Sequence, residues 1–277
     1  MLAEFLTKKM SLTIKTIYSQ SDLLALSPKI LDLFSTCFSP KALEFGLWEW
    51  AYIKNPFGAP CVSIALDEER LVGHYATIPI DLVNSRGQKL KSHLSMTTMV
   101  DKHYVKFGLF KTLAQYTYDN LRENEIDLVY GFPNKNSKPG FKKRLFWKVN
   151  DMCLKYFETK REYINTRQYQ DYYNSNAHVY TIDLSECSSL EWRLSKPGNK
   201  YIYENGAYFK SYSNVLDLIY IKNRHEFESS ENNFGFNAIC YMDESSDSDT
   251  SYHSGYRMLQ STSEFSLFSQ LACSDIF

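Results

Sequence analysis

The chain lacks most of the marks by which small sequences announce a chemistry. Its six cysteines stand at 37, 61, 153, 187, 240 and 273, with no C-x-x-C pair among them. That scatter excludes a disulfide framework and a zinc knuckle, and it suits reduced thiols in a cytoplasmic protein. No apolar run approaches the ~20 residues of a membrane span. The opening residues Met1–Lys9 have neither the apolar stretch nor the small-residue cleavage site of a secretory signal. A soluble protein without a membrane span is therefore expected. Spacings of the H-E-x-x-H, H-x-E…C-x-x-C, G-x-S-x-G and Walker types are all missing, so neither a metal site nor a serine hydrolase is expected. A net charge of −1 gives no overall reason to expect nucleic acid or an anionic membrane. Low-complexity segments and short repeats are absent as well.

What the chain does have is length, rings and an uneven charge. Its 277 residues suffice for one large or two ordinary domains. Tyrosine (21) and phenylalanine (18) lift the aromatic content to 16%. Residues 1–150 carry 20 Lys+Arg against 14 Asp+Glu, an excess of +6, whereas 151–277 carry 11 against 18, or −7. An anionic ligand is thus expected in the first part.

The organising stretch is Ser95–Phe110. Its first half is β-branched and apolar, a strand ending near Val100. Its second half turns through Gly108 into a segment with Leu109, Phe110, Leu113, Tyr116, Thr117 and Leu121 at helical spacing. A strand that turns into a helix aims bare backbone N–H groups and the positive helix end at one point, which suits a phosphate. Ahead of it lie a strand at 12–18 and a helix across 23–34 capped by Ser21-Asp22. A second helix is expected to begin at Ser39-Pro40, with Leu43, Leu47 and Trp50 on its apolar face. Then come a hairpin of 61–66 and 71–79 and a long strand pair, 80–83 with 88–100. After the helix come a strand at 126–131 and a basic, helix-like tail. Residues 151–159 form another strand, and 160–177 read as an irregular linker. A second unit holds a helix at 189–194, strands at 200–204, 207–212, 215–221 and 238–242, and an acidic loop at 244–254.

Three segments in order carry a family resemblance. The turn Val105-Lys106-Phe107-Gly108-Leu109-Phe110 resembles the acyl-CoA loop of the GNAT acetyltransferases, Arg/Gln-x-x-Gly-x-Gly/Ala; Gly108 matches, while Val105 and Phe110 depart. Phe132–Phe141 is similar to the Asn-x-x-Ser-x-x-x-Tyr/Phe segment that follows the family's splayed strand. Trp48–Gly58 resembles the entry segment of a branch associated with bacterial polysaccharide and amino-sugar modification. The resemblance implies an α/β (α+β) fold with a mixed, mostly antiparallel sheet and a splayed parallel pair. It spans residues 1–159, with a smaller, degenerate GNAT-like half at 160–277 that completes the acceptor cleft. Trp192, Arg193, Pro197 and Tyr201 carry the second half of that likeness.

The implied activity is transfer of an acetyl or short acyl group from acetyl-CoA to a small-molecule primary amine such as an amino sugar, with no metal. A non-catalytic binding module, or a tandem relative using another acyl donor, is the alternative. Backbone N–H groups near Met99 and Val100 would polarise the thioester carbonyl. Those of Lys106, Phe107, Gly108, Leu109 and Phe110 would hold the pyrophosphate, and Asn134 the pantetheine amides. Ser137 would start the next helix, and Lys142 belongs to a cluster (Lys135, Lys138, Lys142, Lys143, Arg144, Lys148) placed for the 3′-phosphate. Phe141 stands where many members carry the Tyr that protonates the leaving thiolate, which leaves Tyr104 and Tyr130 as donors. His93, in the strand before the loop, is the candidate base; His74 and His103 rank lower. Leu145-Phe146-Trp147 replaces a Gly-Phe/Trp pair, so easy access to positive φ is lost there. Trp48, Trp50 and Tyr52 serve either the core or sugar stacking.

Overall fold

A computed structural model describes residues 11–166, 177–212, 214–231, 234–241, 251–260 and 264–274. β1 (Leu12–Ile17), β2 (Cys61–Asp67) and β3 (Arg70–Pro79) form an antiparallel meander, and β6 (Ser92–Val100) lies antiparallel against β3. β7 (Leu128–Gly131) is parallel to β6. Parallel neighbours need a crossover connection, here built on α3 (Leu109–Glu123), whose buried stripe packs on β2 and β3. That stripe runs Leu109, Leu113, Ala114, Thr117, Tyr118 and Leu121. Tyr118 lies inside, whereas Tyr116, expected in the stripe, is half exposed.

Six further strands join the same sheet. Its order is β1-β2-β3-β6-β7-β14-β8-β13-β12-β11-β10, with β8 (Lys148–Phe157), β10 (Tyr201–Glu204), β11 (Ala207–Tyr212), β12 (Val215–Ile221), β13 (Phe236–Tyr241) and β14 (Ser251–Met258). Two strands trade places. β8 follows the first parallel pair in sequence but lies between β13 and β14, whereas β14 comes last and lies between β7 and β8. β14 occupies part of the span expected as an acidic loop. The described part of that loop pairs because Ser254 and Gly255 meet Asn150 and Val149 in register.

A four-stranded sheet, β15-β9-β4-β5, lies apart from the first. It is built from β4 (Leu82–Asn84), β5 (Lys89–Leu90), β9 (Val179–Ile182) and β15 (Ser266–Leu267). The long pair expected at 80–83 and 88–100 therefore divides, its turn going to this sheet and its second strand to the main one. Two further corrections concern helix starts. α1 (Gln20–Phe38) is capped by Ser19, whose hydroxyl accepts from the Asp22 N–H at 3.4 Å. α2 (Phe45–Tyr52) begins five residues beyond Pro40, after an irregular stretch. Within the expected linker α5 (Lys160–Ile164) forms, with Thr159 accepting from the Glu162 N–H.

The sheet has a core on each face. α1, α2 and the C-terminal elements cover one, with Trp48, Trp50, Tyr52, Tyr130 and Trp192 buried there. Trp50 and Trp192 stack at 4.8 Å and exchange reciprocal indole-to-carbonyl hydrogen bonds of 2.8 Å, so this aromatic set is packed as core. α3 and α4 (Lys138–Arg144) cover the other face, with Leu109, Leu113, Tyr118, Phe141 and Trp147. Among the described residues no helix is long and apolar enough to cross a membrane.

Candidate active site

β6 and β7 pair only from Ser92↔Leu128 to Ser95↔Gly131. β6 then runs on to Val100 while β7 stops, so the two strands part. The parting point is fixed by close packing. A Cβ on Gly131 would lie 3.1 Å from the Ser95 carbonyl oxygen and 3.3 Å from the Trp147 ring. Trp147 sits in that notch, and its indole N–H donates to the Tyr118 hydroxyl at 2.9 Å. Tyr118 and Tyr75 join hydroxyls at 2.7 Å, and the Ser95 hydroxyl donates to Tyr75 at 2.9 Å. A polar chain thus ties α3, β3 and Trp147, the residue before β8, to the last paired residue of β6. Burial pushes the Tyr118 hydroxyl up to about 12 and Tyr75 well above its usual value, so both stay protonated.

Just past the parting, β6 bulges. Met96 faces Ala76 and Met99 faces His74, so Thr97 and Thr98 together oppose Tyr75. Thr97 takes φ +51. A bulge leaves its extra residue outside the ladder, and here β7 no longer supplies a partner from the other side.

A pocket of about 500 Å³ opens at this end of the strand. Its walls come from Thr98 and Val100 of β6, Val105 of the turn, Phe110 of α3, and Asn136, Ser137, Pro139, Gly140, Phe141, Lys143 and Arg144 of α4 and its lead-in. The turn Val105–Phe107 is a short 3-10 helix ending at Gly108, whose φ of +71 lets the chain reverse directly into α3. Lys111 and Thr112 N–H groups close on the Gly108 carbonyl. Those of Leu109 and Phe110 lie ahead of the first helical bond, as the opening amides of any helix do. Of the cations, Lys143 and Arg144 line the pocket, Lys142 is exposed beside it, and Lys138 is engaged by Asp151.

The residues singled out from sequence fall into three groups. Val100, Phe110, Ser137 and Phe141 meet at the pocket. Lys106 and Phe107 are exposed on the turn, their side chains in a cation–π contact at 5.2 Å; Leu109 is core, and Met99 is buried opposite His74. Asn134 Oδ1 accepts from the Asn136 and Ser137 N–H groups at 3.0 and 2.9 Å, which leaves its amide NH2 facing outward. Ser137 sits at the start of α4, yet its hydroxyl donates back to the Asn134 carbonyl instead of capping the helix.

The candidate proton carriers do not converge on the pocket. Tyr104 donates to the Asp67 carboxylate at 2.6 Å, at the β2–β3 turn, and that carboxylate raises its pKa. Tyr130 is fully buried on the α1/α2 face, with no partner for its hydroxyl among the described residues, and burial raises its pKa strongly. The His93 ring nitrogen Nδ1 bonds the Thr77 hydroxyl at 2.9 Å, and burial pushes the imidazole down to about 3. His74, ranked below it from sequence, lies at the bulge itself: Nδ1 is 2.8 Å from the Thr97 carbonyl.

The departures from the motif have local compensations. Phe110 turns sideways onto α4, where a Cβ on Gly140 would come within 3.2 Å of its ring, and it meets Phe141 edge-on at 5.5 Å. A small residue on α4 thus admits the large one on α3 and leaves the pocket open. Phe146 adopts φ +56 although it is not glycine, and its ring is 72% exposed. Thr98 and Pro139 are pocket residues missed from sequence; the bulge that presents Thr98 has no local signal.

This arrangement, a strand–turn–helix with a splayed parallel neighbour, is the GNAT fold. Residues 25–149 match the family model described as an acetyltransferase (GNAT) domain. The structure is similar to that of a GCN5-related N-acetyltransferase from Kribbella flavida, at 9% identity over 89% of this chain and 71% of that one, with a TM-score of 0.56. It is also similar to a GCN5-related N-acetyltransferase from Anabaena variabilis ATCC 29413 (11%, 90% and 73%, TM-score 0.52) and to Eis1 from Mycobacterium abscessus (8%, 90% and 74%, TM-score 0.52). No curated protein matches the chain in sequence.

Proposed function

We propose that the protein transfers an acetyl or short acyl group from acyl-CoA to a primary amine held on the α1/α2 side of the sheet. The observation that carries this reading is the coincidence of the parted strands, the bulge and the pocket at one end of β6. Coenzyme A needs all three. The amide-rich pantetheine arm takes the place of a missing strand neighbour, and the pyrophosphate meets the opening amides of α3, a helix long enough to carry a useful dipole. Lys143 and Arg144 supply the positive charge that the anionic nucleotide end requires. The transfer itself asks for a polarised carbonyl, a deprotonated amine and a leaving thiolate. Phe141 cannot donate a proton, so the thiolate takes its proton from another hydroxyl or from water. An amino sugar, free or nucleotide-linked, is the acceptor we favour. It rests on the likeness of Trp48–Gly58 to the branch named above.

Thermal unfolding in the presence of acetyl-CoA tests the donor. At 100 times its dissociation constant, acetyl-CoA should add roughly 2.7 kcal/mol of stability. Ser137→Trp, which fills the pocket from a partly exposed position, should abolish that gain without lowering the baseline melting point. Absence of any response to CoA esters would overturn the reading in favour of a non-catalytic module. A panel of amino sugars, polyamines and amino acids then tests the acceptor through CoA release.

A further inference from the structure

Thr97 is a β-branched residue in the left-handed region, at a place where the ladder holds it on neither side in the ordinary way. Something else must fix that peptide. The group in reach is His74 on β3, fully buried, with Nδ1 2.8 Å from the Thr97 carbonyl oxygen. A carbonyl only accepts, so the imidazole carries its proton on Nδ1 and donates it there. Tyr52 holds the imidazole in place. It meets the ring edge-on at 6.5 Å and sets its hydroxyl against the Thr97 side chain, while Trp48 stacks on Tyr52 at 5.4 Å.

The Thr97–Thr98 peptide is trans, so its carbonyl and its N–H point in opposite directions. The carbonyl is drawn toward His74 on the α1/α2 face. The Thr98 N–H is therefore turned toward the opposite face, where Thr98 lines the pocket.

We propose that His74 is a positioning residue: by holding the Thr97 carbonyl it aims the Thr98 N–H at the thioester carbonyl oxygen. The inference rests on the acyl-CoA reading above and names which amide polarises the carbonyl and what sets its direction. His74 itself touches neither donor nor acceptor. It acts through one peptide plane.

Amide resonances of 15N-labelled protein, with S-acetonyl-CoA (a ketone analogue that cannot transfer its acyl group) and with CoA as probes, test it. In the wild type the Thr98 amide proton should move downfield with the ketone and stay put with CoA, which has no carbonyl at that position. His74→Leu should bind CoA within about twofold of wild type yet lose the Thr98 response, and should lower acetyl transfer about 100-fold, the usual loss for one carbonyl-binding donor. His74→Asn, whose side-chain N–H stands near the former Nδ1–H, should restore most of both. A Thr98 amide indifferent to the ketone in wild type that binds it, or a full response in His74→Leu, overturns the proposal. Failure of wild type to bind either probe brings down the acyl-CoA reading and the proposal with it. Should His74→Leu not fold, the wild-type and His74→Asn spectra decide alone.

Discussion

Among the described residues the large sheet contains two parallel strand pairs, and they have been finished differently. β6 and β7 run together for four residues and part at Ser95/Gly131; β12 and β13 run together for two, Leu216↔Phe236 and Asp217↔Asn237, and then part. Around the first gap stand Thr98, Val100 and Gly140, and a pocket remains. The second is filled from within. Phe209, Phe227 and Phe236 are fully buried on one side of it, and the Asp217 carboxylate accepts from Asn237 at 2.9 Å. The Gln270 side-chain oxygen takes the Ile221 N–H at 2.9 Å near the tip of β12, and its amide N–H reaches Thr181. The crossover helix there, α6 (Arg224–Ser229), sits so close that a Cβ on Gly206 would come within 2.7 Å of the Phe227 nitrogen. One topology thus yields an open groove or a solid core, according to whether side chains fill the gap.

That contrast can be tested in order of expected effect. Acid should act through the first pair. His74 and His93 are buried neutral beside it, pushed down to about 4 and about 3 by desolvation. Both values lie below the ordinary 6.5, so the unfolded chain takes up the protons first. Stability is fully present above pH 6.5 and is lost as the pH falls toward 3, by on the order of 5 kcal/mol. Denaturant midpoints from pH 7 to pH 4 measure it, and a flat profile would contradict the burial of these rings. Next, Phe236→Ala should cost about 3–5 kcal/mol of unfolding free energy by opening the filled gap, with acetyl-CoA affinity unchanged. Gln270→Ala should cost about 1–3 kcal/mol by stranding the Ile221 N–H. Gain of CoA binding in either variant would break the distinction between the two gaps.

The smallest effect sharpens the account of the first pair's surroundings. Phe146 holds a left-handed backbone with its ring mostly in solvent. Phe146→Gly should raise stability by about 1 kcal/mol, read as a higher melting temperature.

The strand–Gly108–helix unit could be read in the sequence because it is local. Alternation ending at Val100 and the stripe Leu109, Leu113, Thr117, Leu121 are set by neighbours a few residues apart. The site was legible only as far as that unit reached. Nothing near Gly131 announces that Gly255 will pair with it, since that register depends on residues far along the chain. Thr97 argues locally against positive φ, and only His74 across the sheet shows how the conformation is held. Phe110 reads as an obstruction until Gly140 is seen opposite it. His93 ranks above His74 in the sequence because it lies in the strand before the loop, and sequence gives no sign of which face of a strand a buried histidine will meet.

The exchange of β8 and β14 has a consequence for the chain as a material. Both neighbours of β8 come from beyond residue 230, and one edge of β7 is covered only by β14. A scission after residue 159 would strip β8 of every neighbour and bare β7 along one side, so the two parts work like clasped hands: neither grip closes until the other does.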